Sequence, residues 1–326
     1  MIMHRRSVAL ILALLVACGP SRPNADGRSP TGRPSSSRPP SSPSPIHSGV
    51  SPSTTPAAEP SFKHVWVFVM ENHSYEQIIG SREAPYLNAL TRSHGLATGF
   101  YAIYHPSLPN YLALVAGATM GCTDDDCRGG YDGPTLAGQL RKKGLTWAGF
   151  FEGLPARGYT GDDTGEYIRH HDPFVYFKEV TASAFMRASI RPMADLKPSL
   201  SNPPSFSLVV PDNRHNMHDG PISAADAWAA TYVAMVLRSR AFRDHGAVFV
   251  TWDEGRRSDV SGCCGPAIHG GHIATIVVGS GARRGFRSPV PHSTYSLLRT
   301  IENGFGLPAL RLAGGPAAVP LSEFWP

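Results

Sequence analysis

The chain has 326 residues, 41% of them hydrophobic and 17% charged, which is enough apolar content to bury one large core and excludes disorder throughout. The formal charge is +5, but the first 60 residues hold six arginines against Asp26 and Glu59, a net of +4, so the remainder is close to neutral. The basic balance therefore gives no reason to expect nucleic acid as a partner.

Arg5 and Arg6 precede an apolar stretch from Val8 to Ala17, too short to cross a bilayer as a helix and suited to an export signal. It ends in Leu15-Val16-Ala17-Cys18-Gly19, which resembles a bacterial lipobox, in which the cysteine is lipid-modified and becomes the new N-terminus. The expectation is a signal at 1–17 and an exported protein anchored through Cys18 to the outer face of the cytoplasmic membrane or the cell surface. An ordinary cleaved signal is the alternative. Residues 18–60 are rich in Ser, Pro and Thr with almost no aliphatic side chains, so they read as an extended tether, a composition that also suits a glycosylated stalk.

The body, 61–326, opens on Phe62 to Met70, a near-continuous apolar run of the kind a strand shows when both faces are covered. Similar runs lie at Thr146 to Phe151, Ser207 to Val210, Ala247 to Trp252 and His272 to Gly279. Helical patterns separate them at Ala84 to His94, Asn110 to Ala118, Thr135 to Lys143, Ala224 to Phe242 and Tyr295 to Phe305. This alternation predicts an α/β fold with a mostly parallel central sheet flanked by helices. Ligands in such sheets bind beyond the carboxyl ends of the strands.

The first run ends directly in Glu71-Asn72, and the fourth in Asp253-Glu254. Both pairs offer hard oxygen ligands, and adjacent carboxylates are costly to bury unless a cation neutralises them. Ser107 stands between Pro106 and Pro109 just before an apolar helix, where free amides and the helix dipole favour phosphate. His218 and Asp219 follow the Ser207 to Val210 run and suit proton transfer and orientation, while Arg169-His170-His171 adds a histidine pair. Each segment alone also reads as a capping turn or polar loop. With Cys18 assigned to lipid, Cys122, Cys127, Cys263 and Cys264 predict disulfides: 122 and 127 can close a short loop, while 263 and 264 need a vicinal bridge or partners elsewhere. No histidine sits at a matching interval, which argues against a zinc site.

The stretches ENHSY at 71–75, HPSLPNYLALVAG at 105–117, MHDG at 217–220, VTWDEG at 250–255 and YSLLRTIENGFGLP at 295–308 resemble a bacterial phosphoesterase family. That family includes acid phosphatases and phospholipases C within the alkaline-phosphatase-like superfamily. The likeness is closest to secreted mycobacterial acid phosphatases acting on phosphatidylinositol 3-phosphate. The resemblance implies one divalent metal of unknown identity held by Glu71, Asn72, Asp253, Glu254 and Ser107. It further implies Ser107 as nucleophile, Asn110 near the phosphoryl oxygens, and His105, His171, His218 and Asp219 around the pocket. The leaving oxygen would take its proton from His171 or His218. The chain departs from the family pattern at His215-Asn216 and at Thr294, so His215 and His292 are left out of the catalytic set.

The implied activity is phosphomonoester hydrolysis through a phosphoserine, on a phosphorylated small molecule or a phospholipid. Phospholipase C cleavage and a non-catalytic surface-binding lipoprotein are the alternatives.

Overall fold

The computed structural model describes residues 59–265 and 268–326, so the expected signal, Cys18 and nearly all of the tether lie outside the described residues. Among the described residues, nine strands form one sheet: β1 (His64–Met70), β2 (Gly95–Tyr101), β3 (Trp147–Phe151), β4 (Ile190–Pro192), β5 (Phe206–Val210), β6 (Gly246–Trp252), β7 (His272–Gly279), β8 (Arg287–Ser288) and β9 (His292–Ser293). The order is β4-β3-β5-β1-β6-β7-β2-β8, with β9 also paired to β2. Strands β4, β3, β5, β1 and β6 run parallel, and β7 is antiparallel to both β6 and β2. Two reversals restore the direction, so β2 ends on the same edge of the sheet as β1 and β6. Here the sheet is mostly parallel, as the alternation predicts.

The central strands are buried because helices cover both faces. β1 is buried from Val65 to Met70, and every residue of β3, β5 and β6 is buried. Helix Ile222–Arg238 packs on helix Pro85–Ser93, and helix Ser107–Ala116 packs on helix Thr294–Gly304. All ten residues of Ser107–Ala116 are buried, as the apolar run from Leu108 to Ala116 demands. That full burial holds Ser107 rigidly.

Among the differences from the sequence reading, two have a clear local cause. β2 escapes it because Gly95, Thr98 and Gly99 break the apolar pattern, and its register against β7 shifts between Ala97 and Phe100. Glycine at such an irregularity lets the backbones approach: a Cβ on Gly99 would lie 3.1 Å from the Pro289 carbonyl oxygen. The helix expected from Ala224 to Phe242 ends at Arg238, because Ser239 is extended and accepts the Phe242 N–H at 3.1 Å, starting the separate turn Arg240–Arg243.

Both disulfides form within their own loops, Cys122 with Cys127 and Cys263 with its neighbour Cys264. Among the described residues no helix is long and apolar enough to cross a membrane.

Glu302, in the 295–308 stretch, has a structural task. Its Oε1 accepts the Leu310 N–H at 2.8 Å and fastens the chain after the last long helix, while Oε2 is buried without a partner. Burial raises its pKa from 4.5 to about 7, opposed by the Leu310 bond and Arg299. The fold favours the protonated form, so this contribution is complete below pH 4.5 and is lost as pH rises to about 7. Glu302→Gln is therefore expected to match the wild type near pH 4 and to be more stable at pH 7.5 by up to about 3 kcal/mol. Denaturant titrations across that range check it; parallel pH profiles for the two proteins would contradict it.

Candidate active site

β1 and β6 are neighbours in register, Met70 opposite Trp252, so Glu71-Asn72 and Asp253-Glu254 leave the sheet side by side. The Asp253 N–H donates to the Met70 carbonyl at 2.9 Å, and the Asn72 N–H donates to Asp253 Oδ1 at 3.1 Å. Asn72 takes a left-handed backbone with φ of 51°, a conformation asparagine tolerates better than most residues. β2 delivers the chain to the same edge, where the His105–Pro106 peptide is cis and Ser107 begins its helix. Ser107 Oγ donates to Glu71 Oε2 at 3.2 Å. One helical turn further on, the Tyr111 hydroxyl donates to Glu71 Oε1, so a single helix face holds both carboxylate oxygens.

Glu71, Asp253 and Glu254 are all buried. Burial and the facing Asp253 hold Glu71 well above the usual carboxylate range; burial and Glu254 push Asp253 up to about 8. Burial also raises Glu254, against the pull of His105. His105 lies between two acceptors, the Glu254 carboxylate at Nδ1 and the Asp259 carbonyl oxygen at Nε2 (2.9 Å). Although burial opposes it, this pairing raises the His105 pKa, which favours the charged ring beside Glu254.

The residues fit a divalent cation. Asn72 Oδ1 and Asp253 Oδ2 are buried without a hydrogen-bond partner, beside the Ser107 hydroxyl and Glu71. Orphaned oxygens among carboxylates form the kind of donor set that hard cations take. Glu254, the remaining expected ligand, has one carboxylate oxygen on His105.

A cavity of about 480 Å³ opens here, lined by Asn72, His105, Pro106, Ser107, Asp125, His170, His218, Glu254 and Arg257. His218 Nδ1 pairs with Asp219 Oδ1 at 2.7 Å, which leaves Nε2 as its available nitrogen.

Three expectations need correction. Asp219 is exposed and does not line the cavity; it acts on His218. His171 is buried behind the cavity with Nε2 3.4 Å from Glu71, and burial pushes its pKa well below the usual range, so it is neutral and a poor acid for the leaving group. Its neighbour His170 reaches the cavity instead.

Asn110 does not face a phosphoryl group. Its Oδ1 accepts the Ile103 and Tyr104 N–H groups at 2.8 and 2.9 Å, and its Nδ2 donates to the Tyr104 and Pro106 carbonyls at 2.9 and 3.1 Å. With both atoms committed, Asn110 clamps the turn that aims Ser107. Asn110→Ala is therefore expected to destabilise the fold by about 2–4 kcal/mol, by orphaning buried backbone groups, as well as to slow turnover. Thermal unfolding checks it: a variant with reduced kcat and unchanged Tm would restore the donor role.

Sequence reasoning also missed Tyr111, legible from its i,i+4 spacing to Ser107, and Asp125 and Arg257, for which no sequence signal exists. His215 bridges Glu152 and Asp212 at 3.0 Å each, and His292 is buried against Glu323 and the Val319 carbonyl, so both have structural partners.

Residues 81–308 match the model of the Phosphoesterase family. The chain is 35% identical over 271 residues to a phosphatidylinositol-3-phosphatase of Mycobacterium tuberculosis, covering 82% of this chain and 85% of that one. It is 27% identical over 260 residues to an acid phosphatase of Aspergillus fumigatus, covering 76% of this chain and 55% of that longer one. Among solved structures, a Vibrio parahaemolyticus protein of the alkaline phosphatase superfamily aligns with a TM-score of 0.54 at 15% identity, covering 83% of this chain and 71% of that one. The chain therefore belongs to the phosphoesterase family, hydrolases of phosphoric ester bonds, and carries the alkaline-phosphatase-like fold.

Proposed function

We propose that the protein is a metal-dependent acid phosphatase that hydrolyses phosphomonoesters, phosphatidylinositol 3-phosphate among them, through a phosphoserine at Ser107. The observation that carries this reading is the Ser107 hydroxyl bonded to Glu71 beside the orphaned oxygens of Asn72 and Asp253.

Glu71, Asn72, Asp253 and Ser107 would hold one divalent ion, with Glu254 adding negative charge from beside His105. When bound, the ion supplies neutralisation of the buried carboxylates and of the phosphoryl group, and acidifies the serine hydroxyl. Ser107 Oγ forms the bond to phosphorus as the bond to the leaving oxygen breaks, and its proton passes to Glu71 Oε2. His218, oriented by Asp219, gives a proton to the leaving oxygen. Water then cleaves the phosphoseryl ester, which restores the hydroxyl and releases inorganic phosphate. Asn110, Tyr111 and the buried helix hold the nucleophile in place throughout.

The proposal extends to the membrane: lipidation of Cys18 would keep the exported enzyme beside lipid headgroups, with residues 18–60 as tether. Support for the lipid substrate comes from the name and 35% identity of the mycobacterial relative.

Product analysis tests the reading, using phosphomonoesters, phosphatidylinositol 3-phosphate and phosphatidylcholine with and without chelator. Chelator-sensitive release of inorganic phosphate from the monoesters is expected. Diacylglycerol plus phosphocholine, with monoesters untouched, would overturn it in favour of phospholipase C chemistry.

A further inference from the structure

The loop closed by the Cys122–Cys127 disulfide carries three consecutive aspartates, and the middle one reaches the helix turn that begins at Ser107. Asp125 Oδ1 accepts the Leu108 N–H at 2.9 Å. Ser107 and Leu108 are the first two residues of a ten-residue helix, so this amide is one of the donors that the helix end turns toward an anion. Asp125 also lines the same cavity as Ser107, His105 and His218. Asp126 lines only the adjoining cavity of about 460 Å³, and its N–H is tied to Asp124 Oδ1 at 3.0 Å. A carboxylate thus occupies the helix-end amide beside the nucleophile, where a phosphoryl oxygen would otherwise gain a donor.

We propose that Asp125 is an anion gate: it holds the Leu108 amide when the cavity contains no phosphate and is displaced by the phosphoryl group. The inference rests on the reading of Ser107 as nucleophile. Because the gate opposes any phosphate at this place, it weakens substrate and product binding together. Asp125 touches the arriving phosphate only as a competitor, which makes it a determinant of affinity rather than a reacting group.

Calorimetric titration of the metal-loaded protein with inorganic phosphate reads this without turnover. Asp125→Ala, which frees the amide and removes the charge, is expected to bind phosphate about tenfold more tightly. Asp125→Asn retains an acceptor for Leu108 while removing the charge, and is expected to give a smaller tightening of about threefold. KM for a phosphomonoester is expected to fall in parallel. A structural role alone would weaken binding, not tighten it. Asp126→Asn removes the same charge from the same loop and is expected to leave phosphate affinity unchanged. Unchanged or weaker phosphate binding in folded Asp125 variants would overturn the gate, as would equal tightening in Asp126→Asn. Absence of phosphomonoesterase activity in the wild type would instead overturn the reading on which the gate rests, so the two failures are distinguishable.

Discussion

Ser107→Ala is expected to lower kcat/KM for a phosphomonoester by on the order of 10⁴-fold or more, because it removes the atom that bonds to phosphorus. The fold should survive. The hydroxyl makes one bond, 3.2 Å to Glu71, and Glu71 keeps its bond from Tyr111, so the expected stability change is only about 1 kcal/mol. Asn110 still clamps the turn, and Asn72 and Asp253 still face the same space. Steady-state kinetics on protein with verified metal content and an unchanged Tm decide it. Near-normal activity in such a preparation would rule out the covalent route.

Removal of the metal should have the second-largest effect, and it reads out in stability as well as in turnover. Without a cation, Glu71 and Asp253 stand buried together with raised pKa values, and Asp253 Oδ2 has no partner. A divalent ion that binds only the folded state at a concentration 100 times its Kd adds about 2.7 kcal/mol. For a domain of this size that raises Tm by roughly 5–10 °C. Asp253→Asn removes one anionic ligand, so the metal-dependent Tm increase should nearly vanish and kcat/KM fall by on the order of 10³-fold. The metal-free variant should be no less stable than the metal-free wild type, because an amide is buried without the cost of protonating or desolvating a carboxylate. Calorimetric scans of both proteins with chelator and with added Mg, Mn, Ca or Zn check this. A Tm of the wild type that responds to none of them would contradict the assignment.

The strands that build the site were readable because burial on both faces forces continuous apolar runs, and Met70 and Trp252 end theirs directly in acidic pairs. Side-by-side placement of those pairs follows from parallel pairing of β1 with β6, which alternation implies without fixing the strand order. β2 was hidden for a physical reason: the glycines that permit its irregular register against β7 also erase the strand pattern. Residue roles were less legible than residue positions. Asn110 was identified as part of the site, but spacing cannot show that both ends of its amide are already engaged by backbone. His170 and His171 are adjacent in one short turn, but His171 is buried and His170 only partly so, a difference set by how that turn packs on the Ser107 helix. Asp125 illustrates the limit further. Nothing in Thr-Asp-Asp-Asp distinguishes the aspartate that meets a distant amide from the two that do not.

The central claim, transfer of the phosphoryl group to Ser107 and then to water, is tested most directly by the stereochemistry at phosphorus. Hydrolysis of a monoester made chiral with oxygen isotopes involves two in-line displacements if Ser107 is phosphorylated, and one if water attacks directly. The account predicts phosphate released with overall retention of configuration; overall inversion would contradict it.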